Sequence, residues 1–427
     1  MKPGTGRRGM GITLLTRRNA RRLSAVCSAL GALAVASATL APEAVAVDVQ
    51  SKEWYLDAMG ADDIWKISTG KGVKVAVVDS GVNPATSSLK GQVLVDEVPK
   101  SVSYHVTHDN IGHGTSMAEI IAGTGAGGGI KGLAPGAKII PFRIASAVSS
   151  SDEAGKTPSE AEAIRAAADS DAKIINMSFA AFEPNDAMKA ALKYGASKGK
   201  LMFVSIGNEG DKGNLPSYPA VYPYAVGVAA LDKSGTVGGF SSYGGYVDLA
   251  APGLNIPSWC DGKFDEYCDS QGTSPASAIA SASAALIWSA HPDWTGNQVL
   301  RTLIDTAARD WAKDKPSKYL GYGGVRPRRV LIDKNIDPGP ADVDPLAKEN
   351  GGGSSAAPSP SAPSPSAGTP SGKPAEDAGS TGGPTSAAAK DTDSGSGSQT
   401  WVIIGAVAAV LVIGGAGFAV LRARRNS

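Results

Sequence analysis

The sequence predicts an α/β domain built on a doubly wound, mostly parallel sheet flanked by helices, with one C-terminal transmembrane helix. Three observations predict it. Short runs rich in Val and Ile recur without polar alternation, as strands covered on both faces require. Helical stretches fall between many of these runs, the pattern of crossover connections. Finally, residues 401–421 form an unbroken apolar segment followed at once by Arg422, Arg424 and Arg425.

Taken in order, residues 1–46 read as a secretory signal peptide. A basic region that includes Arg17, Arg18, Arg21 and Arg22 precedes an Ala-rich apolar stretch, and Ala44-Val45-Ala46 supplies an A-x-A cleavage signature. Residues 47–336 form the folded domain. Strands are expected at 73–78, 138–144, 173–179, 201–206, 225–231 and 247–251, and helices at 116–122, 159–169, 185–198, 274–290 and 295–308. No internal repeat stands out. Residues 337–400 are dominated by Gly, Pro, Ser and Ala and are too poor in aliphatic side chains to offset chain entropy, so they read as a disordered tether. Residues 401–421 are long enough to cross a hydrocarbon core of ~30 Å. The basic tail 422–427 places the C-terminus in the cytoplasm and the folded domain outside the cell. The net charge of +1 gives no reason to expect nucleic acid as a partner.

In such sheets, sites gather beyond the carboxyl ends of the strands. Asp79 ends the first run in VAVVDSGV, either capping the next turn or serving chemistry. Of the four histidines, His105, His108 and His291 read as loop or surface residues. His113 stands between two glycines in IGHGTSMAEIIAG, where a helix begins. Asn208 ends a strand in LMFVSIGNEG, as a turn residue or as an amide donor to a developing oxyanion. Ser274, in QGTSPASAIASASAAL, reads as a helix N-cap with Pro275 at the first helical position, or as a nucleophile. The chain order Asp, His, Ser is one known order for a serine triad. It speaks against an α/β-hydrolase, whose order differs and whose oxyanion donor follows the nucleophile. Pro275 has no N–H to give.

With these residues in view, the domain resembles the subtilisin-type (S8) serine peptidases. VDSGV around Asp79, GHGT around His113 and GTS ending at Ser274 are similar to the family's three catalytic motifs. GLAPGA at 132–137, INMS at 175–178, GNEG at 207–210 and VDLAAPG at 247–253 are similar to its intervening stretches. The resemblance implies Asp79 as orienter, His113 as general base and then acid, Ser274 as nucleophile, and Asn208 with the Ser274 N–H as oxyanion hole. It implies substrate binding along Ser178, Phe179 and Ala180 and along Ser205, Ile206 and Gly207. Two departures stand out: Ala278 replaces a usual proline, and Ala180-Ala181 replace usual glycines, whose added methyl groups are expected to narrow the cleft.

The short interval before Asp79 has no room for a separate chaperone-like propeptide domain. EWYLDAMGADDIWKISTGKG in that interval, together with the leader, tether and anchor, resembles the mycosins, membrane-anchored peptidases associated with type VII secretion. That resemblance implies limited cleavage of exported polypeptides beside a secretion machine, at the cell membrane and with no cofactor. Two other functions remain open: a structural part of the secretion complex with dispensable catalysis, or a tethered general extracellular protease. Cys260 and Cys268, in WCDGKFDEYC, are the only cysteines of the mature chain and are expected to form a disulfide, stabilising their loop by roughly 2.5 kcal/mol. A metal pair there would lack further His or Cys ligands, and no metal site is expected.

Overall fold

The computed structural model describes residues 49–147 and 151–351; the leader, most of the tether, the apolar segment 401–421 and the basic tail lie outside the described residues. Helices α1 (Trp54–Met59) and α2 (Ala61–Ile64) lead into β1 (Lys74–Asp79), followed by α3 (His113–Ala122) and β2 (Lys138–Arg143). Next come α4 (Ser151–Ala154), α5 (Glu160–Asp169), β3 (Ile174–Met177), α6 (Asp186–Ser197), β4 (Leu201–Ser205), β5 (Val226–Leu231) and β6 (Leu249–Pro252). A hairpin of β7 (Leu254–Trp259) and β8 (Tyr267–Gln271) precedes α7 (Thr273–Ala290), α8 (Gly296–Thr306) and α9 (Pro327–Ile332). Among the described residues no helix is long and apolar enough to cross a membrane.

Six strands form one sheet in the order β2-β1-β3-β4-β5-β6, every pair parallel. The order reverses at β1, which lies between β2 and β3, so β1 and its neighbours frame the crevice where such sheets hold their sites. Strand alternation divides the interior into two cores. Val75 and Val77 face a core that includes residues of α3, α7 and α8, whereas Ala76 and Val78 face one that includes residues of α5 and α6. Burial on both faces explains why these strands carry no polar alternation.

Helix starts follow local chemistry. Ser159 with Glu162 and Thr295 with Gln298 form reciprocal capping boxes, which satisfy otherwise orphaned backbone donors of α5 and α8. Helix α7 is buried along almost its whole length, and its Ala and Ser residues let it lie close to the sheet. Its hydroxyls are not idle: Ser277 and Ser281 both donate to Asn176 Oδ1 at 3.1 Å, which ties the helix to β3 through a buried amide.

Two segments pack on the body where the sequence showed no strong pattern. Near the N-terminus, Tyr55 is wholly buried and donates to the Lys131 carbonyl, and Trp54 donates to the Leu254 carbonyl. Residues 337–351, read from composition as the start of the tether, lie against α8 and β5. Leu346 is 2% exposed, Arg301 Nη2 donates to the Val343 carbonyl, and Tyr224 N–H donates to Asn350 Oδ1. Leu346→Ala should therefore cost about 2–3 kcal/mol of folding free energy, as for other buried leucines. Urea unfolding of the two forms measures it; an unchanged midpoint would mean that 337–351 contributes nothing to the domain.

Candidate active site

Asp79 is the last residue of β1, and its carboxylate is buried at the strand's mouth. His113 is the first residue of α3. Its Nδ1–H donates to Asp79 Oδ1 at 2.7 Å, and the Ser80 N–H donates to the same oxygen at 2.7 Å. A carboxylate only accepts, so Nδ1 carries the proton, and in the neutral ring Nε2 is left as the base. The imidazole side chain stays 36% exposed. Burial of the ring lowers its pKa, but the Asp79 carboxylate, by charge and hydrogen bond, and Asp109 by charge outweigh that effect. His113 therefore holds its proton to higher pH than an ordinary histidine.

The structure chooses among the readings that local sequence left open. Asp79 does both jobs, bonding the next turn and His113. His113 opens α3, whose N-cap is Gly112, at φ 77°. Asn208 does not adopt the left-handed turn conformation, which falls to Gly207 at φ 100°. Ser274 is not the N-cap of α7. That position belongs to Gly272, and Thr273 is the first helical residue, so Ser274 lies within the first turn.

Around Ser274 the contacts are reciprocal. Its Oγ–H donates to the Ser178 carbonyl and Ser178 Oγ donates to the Ser274 carbonyl, both at 3.1 Å. No hydrogen bond joins Ser274 Oγ to His113 in this state. Asn208 Oδ1 accepts from the Thr273 N–H at 3.0 Å, which turns the amide so that Nδ2 is not consumed by this bond. A methyl group built on Gly272 would lie 3.5 Å from Asn208 Nδ2 and 3.7 Å from the Ser274 nitrogen. Two N–H donors thus flank one small space, an arrangement able to hold a developing oxyanion.

The expected substrate strand follows β3. Ser178 is 3% exposed and Phe179 half-buried, while Ala180 is exposed. Ala181 and Tyr218 pair as an antiparallel bridge. Ser205 Oγ donates to the Phe179 carbonyl at 3.2 Å and thereby joins the two expected walls. Gly207 is buried against Ser217, and Ile206 is wholly buried with its side chain in the core.

Sequence reasoning missed the hairpin. Cys260 and Cys268 stand at disulfide distance across it, with Cα atoms 5.1 Å apart. Its tip packs on the segment that carries His113: the Trp259 N–H donates to Ser116 Oγ, and a Cβ on Gly112 would meet the Asp261 carbonyl at 2.6 Å. Beneath lies Glu119 of α3, wholly buried, accepting from Thr86 Oγ1 and from the Tyr267 hydroxyl of β8.

The subtilase family model matches residues 70–323. Subtilisin Savinase from Lederbergia lenta is 33% identical over 241 residues, covering 56% of this chain and 84% of that protein. Two longer alkaline proteases at the same identity are covered over 60% of their length. Among solved structures, MycP1 from Mycobacterium smegmatis is similar at a TM-score of 0.54 and 26% identity, over 67% of this chain and 86% of that one. The MycP3 protease from the type VII (ESX-3) secretion system is similar at 0.52 and 29%, over 65% and 88%.

Burial raises the Glu119 pKa to about 7 against the donors that would lower it, whereas the unfolded chain releases this proton near 4.5. The fold therefore binds more protons between those values, and stability falls as pH rises through that window and levels above it. Glu119→Gln should remove about 3 kcal/mol of that decline between pH 5 and 8. Denaturation midpoints at several pH values test this, and an equally steep decline in the variant would contradict it.

Proposed function

This chain belongs to the subtilase family and is a serine endopeptidase of subtilisin type, and from that premise we propose that Asp79, His113 and Ser274 carry its chemistry, with Asn208 and the Ser274 N–H as the oxyanion hole. The single observation that carries the assignment is the 2.7 Å Asp79–His113 hydrogen bond, which leaves Nε2 of the neutral ring as a base.

In the reaction, rotation about the Ser274 Cα–Cβ bond takes the hydroxyl from the Ser178 carbonyl to His113 Nε2; resting sites often tighten only once substrate is bound. Nε2 accepts the proton as Oγ attacks the scissile carbonyl, and Asp79 stabilises the imidazolium without taking its proton. The oxyanion is held by Asn208 Nδ2 and the Ser274 N–H, donors that need no reorganisation. His113 then protonates the leaving amine, and water, deprotonated by the same imidazole, releases the acyl group. Extended substrate lies along 178–180, where no hydrogen bond within the described fold uses the Ala180 backbone.

The setting is an extracytoplasmic one, anchored by residues 401–421 and reached through the leader, with limited cleavage of exported polypeptides next to a type VII secretion machine. Support comes from the similarity to MycP1 and MycP3 and from the apolar segment with its basic tail.

A fluorophosphonate probe should label the purified chain at Ser274 and leave Ser274→Ala unlabelled. A folded chain that takes no label would refute an assembled active site. Asn208→Ala should lower kcat about 10²–10³-fold with KM little changed, the magnitude known for removing such a donor from a subtilisin. Loss of less than threefold would remove Asn208 from the oxyanion hole.

A further inference from the structure

We infer that Asp109 is a positioning residue that holds His113 onto Asp79, an inference that rests on the triad assignment above. Asp109 lies in the loop before α3 and is 4% exposed. A carboxylate removed from water is costly unless its lone pairs are met. Here they are saturated. Asp109 Oδ1 accepts from Ser80 Oγ at 2.8 Å, from the Gly112 N–H at 2.9 Å and from the Ile111 N–H at 3.2 Å. Oδ2 accepts from the Thr115 N–H at 2.8 Å and from Thr115 Oγ1 at 2.7 Å.

The donors are what matter. Ser80 directly follows Asp79, and Gly112 directly precedes His113. Ser80 Oγ also accepts from the Gly114 N–H at 2.9 Å. One carboxylate and one hydroxyl therefore join the residue after Asp79 to the residues on both sides of His113. Gly112 has no side chain with which to cap α3, and Asp109 accepts from the Gly112 and Thr115 N–H groups from upstream. The helix end is consequently pressed close on the strand: a Cβ on Gly114 would meet the Gly81 carbonyl at 2.2 Å and Asp79 Cβ at 3.0 Å. The separation of the Asp79 carboxylate and the imidazole is then fixed by backbone on both sides rather than by side-chain rotation alone.

Asp109 also acts on His113 by charge, in the same direction as Asp79. From the hairpin, Asp261 packs its backbone on Gly112, but its carboxylate accepts from the Lys263 N–H. The Asp79 and Asp109 charges are the ones that favour the protonated ring.

The test compares the full chain with Asp109→Asn and Ser80→Ala, reading the His113 imidazole titration by NMR together with the pH profile of kcat/KM. Asp109→Asn should lower the His113 midpoint. It should move the acid limb of kcat/KM equally and reduce kcat about 10–100-fold, with KM within about twofold. Ser80→Ala should reduce kcat by a smaller factor, about 3–10-fold, with the midpoint nearly unmoved. A lowered Tm with unchanged midpoint and unchanged kcat would make Asp109 only a loop brace and overturn the inference. Should Asp109→Asn fail to fold, the Ser80→Ala and Thr115→Val variants decide: a kcat loss at constant KM supports the role, and wild-type kcat in both overturns it. Should the wild-type chain show no turnover, the triad reading fails by itself, and the NMR midpoint still judges Asp109.

Discussion

The hydrogen bond between Asp79 Oδ1 and His113 Nδ1 is the constraint on which the rest of the site depends. It fixes the tautomer and hence the nitrogen that faces substrate, and it holds the imidazole's affinity for a proton above the ordinary value in spite of burial. A bond of this kind needs two backbones delivered to one place. The parallel sheet delivers Asp79 at the end of β1, and the close approach of glycine-flanked His113 delivers the ring.

Ser274 is held by a second set of contacts. Helix α7 carries Ser274 in its first turn and is pinned to β3 by Asn176, which accepts from Ser277 and Ser281. Ser178 and Ser274 exchange hydrogen bonds across the same junction, and Thr273 orients Asn208. Ser178, Asn208 and Ser274 are thus tied together through α7, whereas His113 is carried by α3. The β7–β8 hairpin spans the two, since it runs directly into α7 and packs its tip on the start of α3.

Much of this was legible in the sequence for a physical reason. Strands buried on both faces must be short and apolar, so a polar residue at the end of one, as at Asp79 or Asn208, stands out against its neighbours. His113 stands out because glycines flank it. What escaped notice is chemistry that acts across sequence distance. Asp109 caps a helix it does not belong to, through donors spread from Ser80 to Thr115, and the local motif around it, THDN, looks like any polar loop. Ser274 has the local look of an N-cap, but Gly272 takes that place and Thr273 opens the helix. The hairpin carries an exposed face and no clean alternation, and residues 337–351 hold on through one buried leucine and side chain–backbone hydrogen bonds that composition does not reveal.

The most direct test of the central claim is low-field proton NMR of the full chain, observing the Nδ1–H shared between His113 and Asp79. A resonance far downfield of the amide region, present in the wild type, absent in His113→Gln and titrating above the ordinary histidine midpoint, is the expected result. A spectrum without that resonance, or a His113 that titrates like a free imidazole, would mean that the pair does not form in solution, and the account of the site would fall with it.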